Sequence, residues 1–574
     1  MGVAAVALVG TAIWGRALLA HFGAHGTAND WDQHWSWYWV ARETVARFHQ
    51  LPLWNPYACG GTPLLGNSQS RIFTPFLLVQ LLLGLIPGVQ VDILAHLALA
   101  GVGGYLLGRS LQLSTWGAAA VGLFYPGSSW YFAHLGEGHG WAMTFAYTPL
   151  LLWLFERALS TGRWLFAGLG GAVLALMLHE GGIYPAPHAV LLLGLLGLLR
   201  LRRDGLRPVG MLALVGGVAL LLAAPKLLPV YDLMKNNPRL VDSRESTGWP
   251  MLVHSLFALG QDNAQRPFTD RWYWGYHEYS AYLGPGVALL ALAGVALAAR
   301  RAWPWIVAAA LFLSLGLGDF GDDWIATQPH LPLSTWALLH RLPLFASQHV
   351  PSRFLVTFVL AAAVLAGFGV DGLRDRWRPI GPGLALGLLG LGAVGQAWVS
   401  PANLGHAFDG SEAELPMAPA FQQIWTPTDR LMFTVASSNR GAVHCYEYSA
   451  LAPAVKAANR PGYQGEVYLE GPGTVEPERW SPNRLGFHVV APAPVRLRVN
   501  QNADPGWTLA SGAGEMAPGE RLVTVDVAAG DQRLELAYTS GSLKLGLLLA
   551  AVGLAVLVGL GWRDRRVQPA RELS

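Results

Sequence analysis

A series of long, nearly uncharged apolar runs constrains this chain more than any motif it carries. They fall at 3–20, 89–108, 115–133, 141–155, 164–178, 183–199, 209–230, 282–299, 302–317, 354–370, 379–399 and 543–562. Inside lipid such runs can satisfy their backbone N–H and C=O groups only as helices. The sequence therefore predicts a polytopic α-helical membrane protein with about twelve transmembrane helices. The overall balance agrees, with 52% hydrophobic and 13% charged residues and a mean hydropathy of +0.34. The first run lacks a small-residue cleavage pattern and reads as a retained anchor. Residues 73–86 are apolar but short and end at Pro87-Gly88, so they read as a juxtamembrane helix that does not cross.

The net charge of +3 decides nothing; the positions of the arginines do. Arg109, Arg157 with Arg163, the group Arg200, Arg202, Arg203 and Arg207, the pair Arg300 and Arg301, the group Arg374, Arg376 and Arg378, and the tail Arg563, Arg565 and Arg566 fall on one face if 73–86 does not cross. Cytoplasmic links carry the Lys/Arg excess, so both termini are expected in the cytoplasm. The loops around Asp30, Glu137, Glu180, 232–281 and 319–352 then share the extracytoplasmic face.

Three blocks follow: a transmembrane domain at 1–399 that includes the first outer loop at 23–88, a mostly β extracytoplasmic domain at 400–542, and a last helix with its tail at 543–574. In the second block Val495, Leu497 and Val499 alternate with arginines, Val523, Val525 and Val527 with Thr524 and Asp526, and Leu534, Leu536 and Tyr538 with Glu535 and Ala537. Period-two runs between Pro/Gly turns predict a small β-sandwich.

The first outer loop holds the densest chemistry. Asp30 and Asp32 follow a membrane helix, and a carboxylate there can take a proton from an attacking hydroxyl or hold a divalent metal. The pair can equally cap the helix that starts near Gln33. That helix carries Trp37, Val40, Ala41, Val45 and Phe48 on one face and Arg42, Glu43 and Arg47 on the other, a pattern for an amphipathic helix lying in the interface plane. Arg71, Lys226, Arg341 and Arg353 supply cations on the same side, suited to a lipid phosphate or to snorkelling at helix ends. The short outer turns add His134, Glu137 and His139, then His179 and Glu180, then His277 and Glu278. These offer metal-ligand chemistry, with Glu137 and His139 as candidates, but no pair has a recognised ligand spacing, and scattered interface histidines are the reading the spacing favours. Cys59 and Cys445, the chain's two cysteines, form either one bridge between the first loop and the late domain or two free thiols. No P-loop or GxSxG elbow is present, and no GxGxxG spacing follows a predicted strand as a dinucleotide fingerprint would, which argues against nucleotide hydrolysis and serine-type acyl transfer.

Several of these stretches together resemble the bacterial membrane protein YfhO family. They are NDWDQHW with LPLWNPYACGGTPLLGNSQSRIFTPF, then EYSAYLG, HRLPLFASQHVPSRF before a span, and NQNADPGWTL with Tyr538 ahead of the last helix. The likeness covers most of the chain and is weakest between Ser400 and Val435. That family is similar to the GT-C superfamily of integral-membrane glycosyltransferases, which take a sugar from a polyprenyl-phosphate carrier on the outer face. The resemblance implies a bacterial inner-membrane enzyme with a polyprenyl-phosphate sugar donor, a glycan or glycolipid acceptor and no nucleic-acid partner. It also implies Asp30 as the functional carboxylate, with Asp32 as second choice. Arg71, Lys226, Arg341, Arg353 and Glu278 become candidates for donor or lipid-phosphate binding, with Arg71 meeting the carrier phosphate. Where the family often has a plainly polar segment after the aspartate, this chain has Trp31, Trp35, Trp37 and Trp39, which puts the acceptor site in question. A lipid-linked sugar flippase and a non-catalytic envelope-assembly protein are the alternatives. Transfer either uses a divalent cation or does without one, and no sequence feature demands it.

Overall fold

A computed structural model describes residues 2–24, 30–236, 245–261, 274–319, 334–400, 404, 408, 415–426, 431–445 and 454–572. Asn29, parts of the outer loops at 232–281 and 319–352, and most of the 401–414 link lie outside the described residues.

Among the described residues, six helices are long and apolar enough to cross a membrane: Leu85–Ser110, Arg207–Lys235, Gly284–Gly316, Pro351–Arg376, Ile380–Val399 and Gly541–Arg566. Gly2–Trp14, Trp164–His179 and Pro185–Leu199 are shorter apolar helices. The Gly284–Gly316 run is two helices joined at Ala298, whose backbone leaves the helical region (φ −126°, ψ 18°). The first limb meets Gly392 near its start and Gly369 further on; the second ends with Gly316 against Leu355. Both limbs therefore lie along the Pro351–Arg376 helix, in opposite directions, as the separate runs at 282–299 and 302–317 require. Gly294 and Gly369 let the backbones approach too closely for any side chain on either.

Two expected spans are assembled differently. The run at 115–133 breaks after Pro126-Gly127 into Thr115–Gly127 and Ser129–Gly136, and the run at 141–155 opens as a 3-10 turn, Gly140–Tyr147, before the helix Thr148–Thr161. The juxtamembrane helix also ends earlier than expected. It covers Phe76–Leu83, eight residues or about 12 Å, and stops at Gly84, whose φ of 91° suits only glycine without strain. Pro87 then lies in the first turn of Leu85–Ser110, where its missing N–H costs nothing.

The arginine-bearing turns gather at one end of the helices. Arg301 donates to the carbonyls of Leu111 and Gln112, Arg200 pairs with Glu156 at 2.6 Å, and Arg163 approaches Asp564. The first loop and the β-domain occupy the other end.

The helix Trp31–Ala46 corrects an expectation. It does not present one face to the surface; Trp31, Trp35, Trp37, Tyr38, Val40 and Ala41 are all buried, as are Asp32, Gln33 and His34. Trp31 and Trp35 join the main helical core, while Trp37, Val40 and Ala41 pack with Tyr57, Ile72 and Phe421. The late domain closes over the loop, so its tryptophans fill a domain interface instead of a headgroup layer.

That domain is a sandwich of two four-stranded sheets. Its strands are β1 Val467–Glu470, β2 Thr474–Ser481, β3 Arg484–Ala491, β4 Val495–Asn502, β5 Trp507–Ser511, β6 Gly514–Met516, β7 Leu522–Val527 and β8 Gly530–Tyr538. One sheet runs β6-β7-β4-β1 and the other β2-β3-β8-β5, with Val525 opposite Leu497 and Leu534 opposite Phe487. The alternating valines and leucines read from the sequence face inward together, and Trp54 of the first loop completes their core. Trp54 Nε1 donates to Gln501 at 2.7 Å, and Asn502 Nδ2 donates to the carbonyls of Cys59 and Gly61.

Cys59 and Cys445 form a disulfide across 386 residues of sequence, with Cα atoms 4.4 Å apart. Peptide mapping without reductant is expected to recover these two peptides joined, and with reductant to recover them apart; free thiols in the native protein would refute the pairing.

Below β1, Glu466 accepts hydrogen bonds from the Gln423 amide at 2.7 Å, the Tyr463 hydroxyl at 3.0 Å and Asn500. Burial outweighs these donors and pushes its carboxyl up to about 7. A carboxyl raised from 4.5 holds its proton more tightly when folded, so its penalty is absent below pH 4.5, grows as pH rises and is complete above about 7. Domain stability should fall across that window by on the order of 3 kcal/mol. Glu466→Gln should flatten the dependence in thermal melts taken at its two ends.

Candidate active site

Interruptions of regular helix build the site on the end of the molecule that carries the first loop. The break at Ser128 turns Ser129–Gly136 away from its parent helix and brings His134, Glu137 and His139 to the end of the bundle. The Ser129 hydroxyl donates to Gln261, and the Tyr282 amide donates to that hydroxyl at 2.8 Å, so the break is tied to the segment leading out of Tyr276–Glu278. Gly138, at φ 94°, completes the turn against the backbone of Asp30 and Trp31, where a side chain would not fit.

Asp30 opens the Trp31–Ala46 helix, yet its side chain makes no capping bond there. Its backbone N–H donates to Glu137 O at 3.0 Å, and its Oδ2 lies 3.2 Å from His139 Nε2. His139 Nδ1 in turn faces His134 Nδ1 at 2.9 Å. His277 stands against both rings, with its Nδ1 3.9 Å from Glu137 and its Nε2 3.7 Å from Glu278. The Asp30 side chain is 28% exposed, the most open of this group, so the carboxylate faces outward from a buried imidazole layer. His34 lies behind it, held down to about 3 by burial although Asp30 pulls the other way, and is therefore neutral.

Arg353 closes the other side. Its guanidinium grips Glu278 with two nitrogens and stacks over Tyr184 and Trp141 at 4.1 and 4.6 Å from the ring centroids. Burial would raise the Glu278 carboxyl, but Arg353 holds it well below its usual range. Arg353 sits on the 3-10 turn Pro351–Phe354 behind Val350, a non-glycine residue at φ 60°. The Val350 N–H donates to Glu245 at 2.7 Å, and Glu245 also accepts the Trp274 indole N–H, which holds that strained entry in place.

His134, His139 and Glu278 each place one ligand atom within 4.8 Å of the others. Mixed imidazole and carboxylate donors suit zinc or manganese. Glu278 is already committed to Arg353, so a cation here would draw chiefly on the histidines and on Asp30 and Glu137 beside them. His277 Nδ1 is buried without a hydrogen bond of good geometry, which leaves donor capacity in this layer unspent.

The other residues singled out in the sequence have different surroundings. Asp32 is buried, and its two oxygens accept the Met432 and Phe433 amides at 2.7 and 2.9 Å; it faces the late domain, away from the Asp30 cluster. Arg71 is bidentate to Asp92 at 2.7 and 3.2 Å and pairs with Glu180 at 2.7 Å, fully inside the protein. His96 joins those two carboxylates at 2.8 and 2.9 Å, and Thr74 and Tyr147 donate to Glu180. Lys226, also buried, donates to the carbonyls of Asn67 and Ser70 and to the Ser70 hydroxyl, stapling the first loop to the helix Arg207–Lys235. Arg341 is exposed at the end of the helix Thr335–His340 and is not brought to the cluster.

Short helices with outward apolar faces flank the site. On Trp249–Phe257, Trp249, Val253 and Phe257 are 60%, 55% and 41% exposed at helical spacing, while its inner face binds the cluster's neighbour through His254 and Tyr276 at 3.1 Å. Leu78, Leu82 and Leu83 form a second such face on Phe76–Leu83, a helix packed against His96 and Arg42. The arrangement juxtaposes a carboxylate–histidine centre with apolar surface.

No protein-family description matches the sequence, and no curated protein matches it. Among solved structures the chain is similar to the oligosaccharyltransferase of Archaeoglobus fulgidus in its apo form, at 12% identity and a TM-score of 0.47, covering 78% of this chain and 65% of that one. The same enzyme in complex with Zn and sulfate aligns at 11% identity and a TM-score of 0.43, covering 77% and 62%. This chain thus spans less than two thirds of those proteins' length, and no residue's role follows from the likeness.

Proposed function

We propose that the Asp30 cluster is the reaction centre of an inverting glycosyl transfer from a polyprenyl-phosphate-linked sugar to an extracytoplasmic glycan or glycolipid. The observation that carries the reading is the outward-facing Asp30 carboxylate backed by His139 at 3.2 Å, beside apolar helices suited to a lipid-linked donor. Asp30 takes the proton of an acceptor hydroxyl as its oxygen bonds to the anomeric carbon. The bond from that carbon to the carrier phosphate breaks, and its electron pair leaves with the phosphate. His139 supports the Asp30 carboxylate and passes its own hydrogen bond on to His134. Arg353, held over Trp141 and Tyr184, adds positive potential where charge collects on the leaving group. A divalent cation held by Asp30, Glu137, His139 and His134 would supply further neutralisation of that phosphate.

A flippase is the second reading, because Arg71, Asp92, His96 and Glu180 form an ionic cluster among the membrane helices, a feature typical of transport paths. Their mutual pairing argues for a lock. Purified protein in lipid, given a panel of labelled polyprenyl-phosphate sugars, should release or transfer label. Movement of the lipid-linked sugar across the bilayer without release would replace the transferase by the flippase.

A further inference from the structure

We infer that Asp32 is a positioning residue through which the late domain sets the alignment of Asp30, an inference that rests on the assignment of Asp30 above. Its carboxylate, 4% exposed, accepts the first two amides of the helix Met432–Ser437, groups that have no acceptor within their own helix. Charge-assisted bonds of this kind are short and directional. Asp32 lies in the same helical turn as Asp30, whose carbonyl accepts the His34 amide at 3.1 Å.

The Asp30 backbone is thus held from two sides. Glu137 O accepts its N–H, which fixes it to the histidine turn. Asp32 fixes the turn that follows to the segment 431–445, and Trp35 meets Phe433 in the same interface. That segment is itself locked to the first loop by Cys59–Cys445 and by Tyr57 O, which accepts the Ala442 amide at 2.9 Å. Loss of the Asp32 bonds frees the first turn to rotate, and Asp30 moves relative to His139. The remote contacts of the interface do not act this way. Gln50, which bonds Ser481 and Asn483, lies beyond the far end of the helix.

The test needs no turnover. In full-length protein carrying Asp30→Cys with His139→Cys, the rate of disulfide formation between the two new thiols reads their alignment. Adding Asp32→Asn, which keeps one acceptor and sets an NH2 against the other amide, should slow that rate about tenfold, the scale of effect expected from a sub-ångström misplacement. Asp32→Glu keeps the charge but displaces it and should also slow the reaction, which covers failure of the Asn variant to fold. Gln50→Ala, with the native disulfide intact, should leave the rate unchanged. Equal rates with Asp32 and its variants, or equal slowing by Gln50→Ala, would overturn the inference. In protein without the added cysteines, Asp32→Asn should lower kcat and spare the donor KM. Absence of turnover in the wild type would sink the transferase reading alone, since cross-linking would still report on Asp32.

Discussion

Asp30→Asn is expected to lower sugar transfer by about 10³-fold or more in protein that still inserts, folds and carries the Cys59–Cys445 bridge. The carboxamide has nearly the same size, so it keeps the helix entry and the main-chain bond to Glu137, but it cannot take a proton. The competing reading makes Asp30 a helix cap, worth about 1 kcal/mol and nothing in turnover. Its side chain makes no capping bond and stands 3.2 Å from His139, 28% exposed. Those facts favour chemistry. Release of label from the donor panel, compared between the two proteins at matched reconstitution, measures the difference. Wild-type activity retained in the Asn variant would remove Asp30 from the mechanism and return attention to the remaining groups of the cluster.

Hydropathy made most of the long helices readable, because a run without charge has one stable form in lipid. The sandwich was readable for a similar reason: inward valines and leucines in β4, β7 and β8 leave a period of two on the chain. The interruptions were not. Ser128 breaks a helix because Ser129 finds partners in Gln261 and Tyr282, more than 130 residues away, and no local pattern reports that. Burial of Trp37, Val40 and Ala41 beside Phe421 likewise depends on the late domain, so their amphipathic spacing suggested a membrane surface instead. His134, Glu137 and His139 were visible as ligand-type residues, but their convergence with Asp30 and His277 needed the fold. Asp92 and His96 were missed although the signal was present. An aspartate four residues before a histidine in an apolar span seldom survives without a partner.

That missed pair sets the second large effect. Arg71→Met should destabilise the protein by roughly 3–5 kcal/mol or prevent its insertion, because it strips the guanidinium from Asp92 and Glu180 and leaves two carboxylates sharing His96 as their remaining cationic partner away from water. Methionine replaces much of the arginine's volume, so the loss is electrostatic and not a cavity. Arg71→Lys should recover only part of it, since an ammonium cannot bridge both acids with the arginine's fork. Combining Arg71→Met with Asp92→Asn and Glu180→Gln should restore much of the stability, because the buried charges are removed together with their partner. Thermal unfolding in detergent, with the yield of inserted protein, reads all three. The sequence-based expectation that Arg71 meets the carrier phosphate predicts the opposite pattern: a stable Arg71→Met protein with a raised donor KM and no rescue by the carboxylate variants. Arg71, Thr74 and Lys226 all lie in or against the part of the first loop just ahead of Phe76–Leu83, so the ionic lock holds down the loop that carries Asp30. Its loss should therefore abolish transfer through the loop's position, with the stability change appearing at temperatures below that of the wild type even in the absence of any donor.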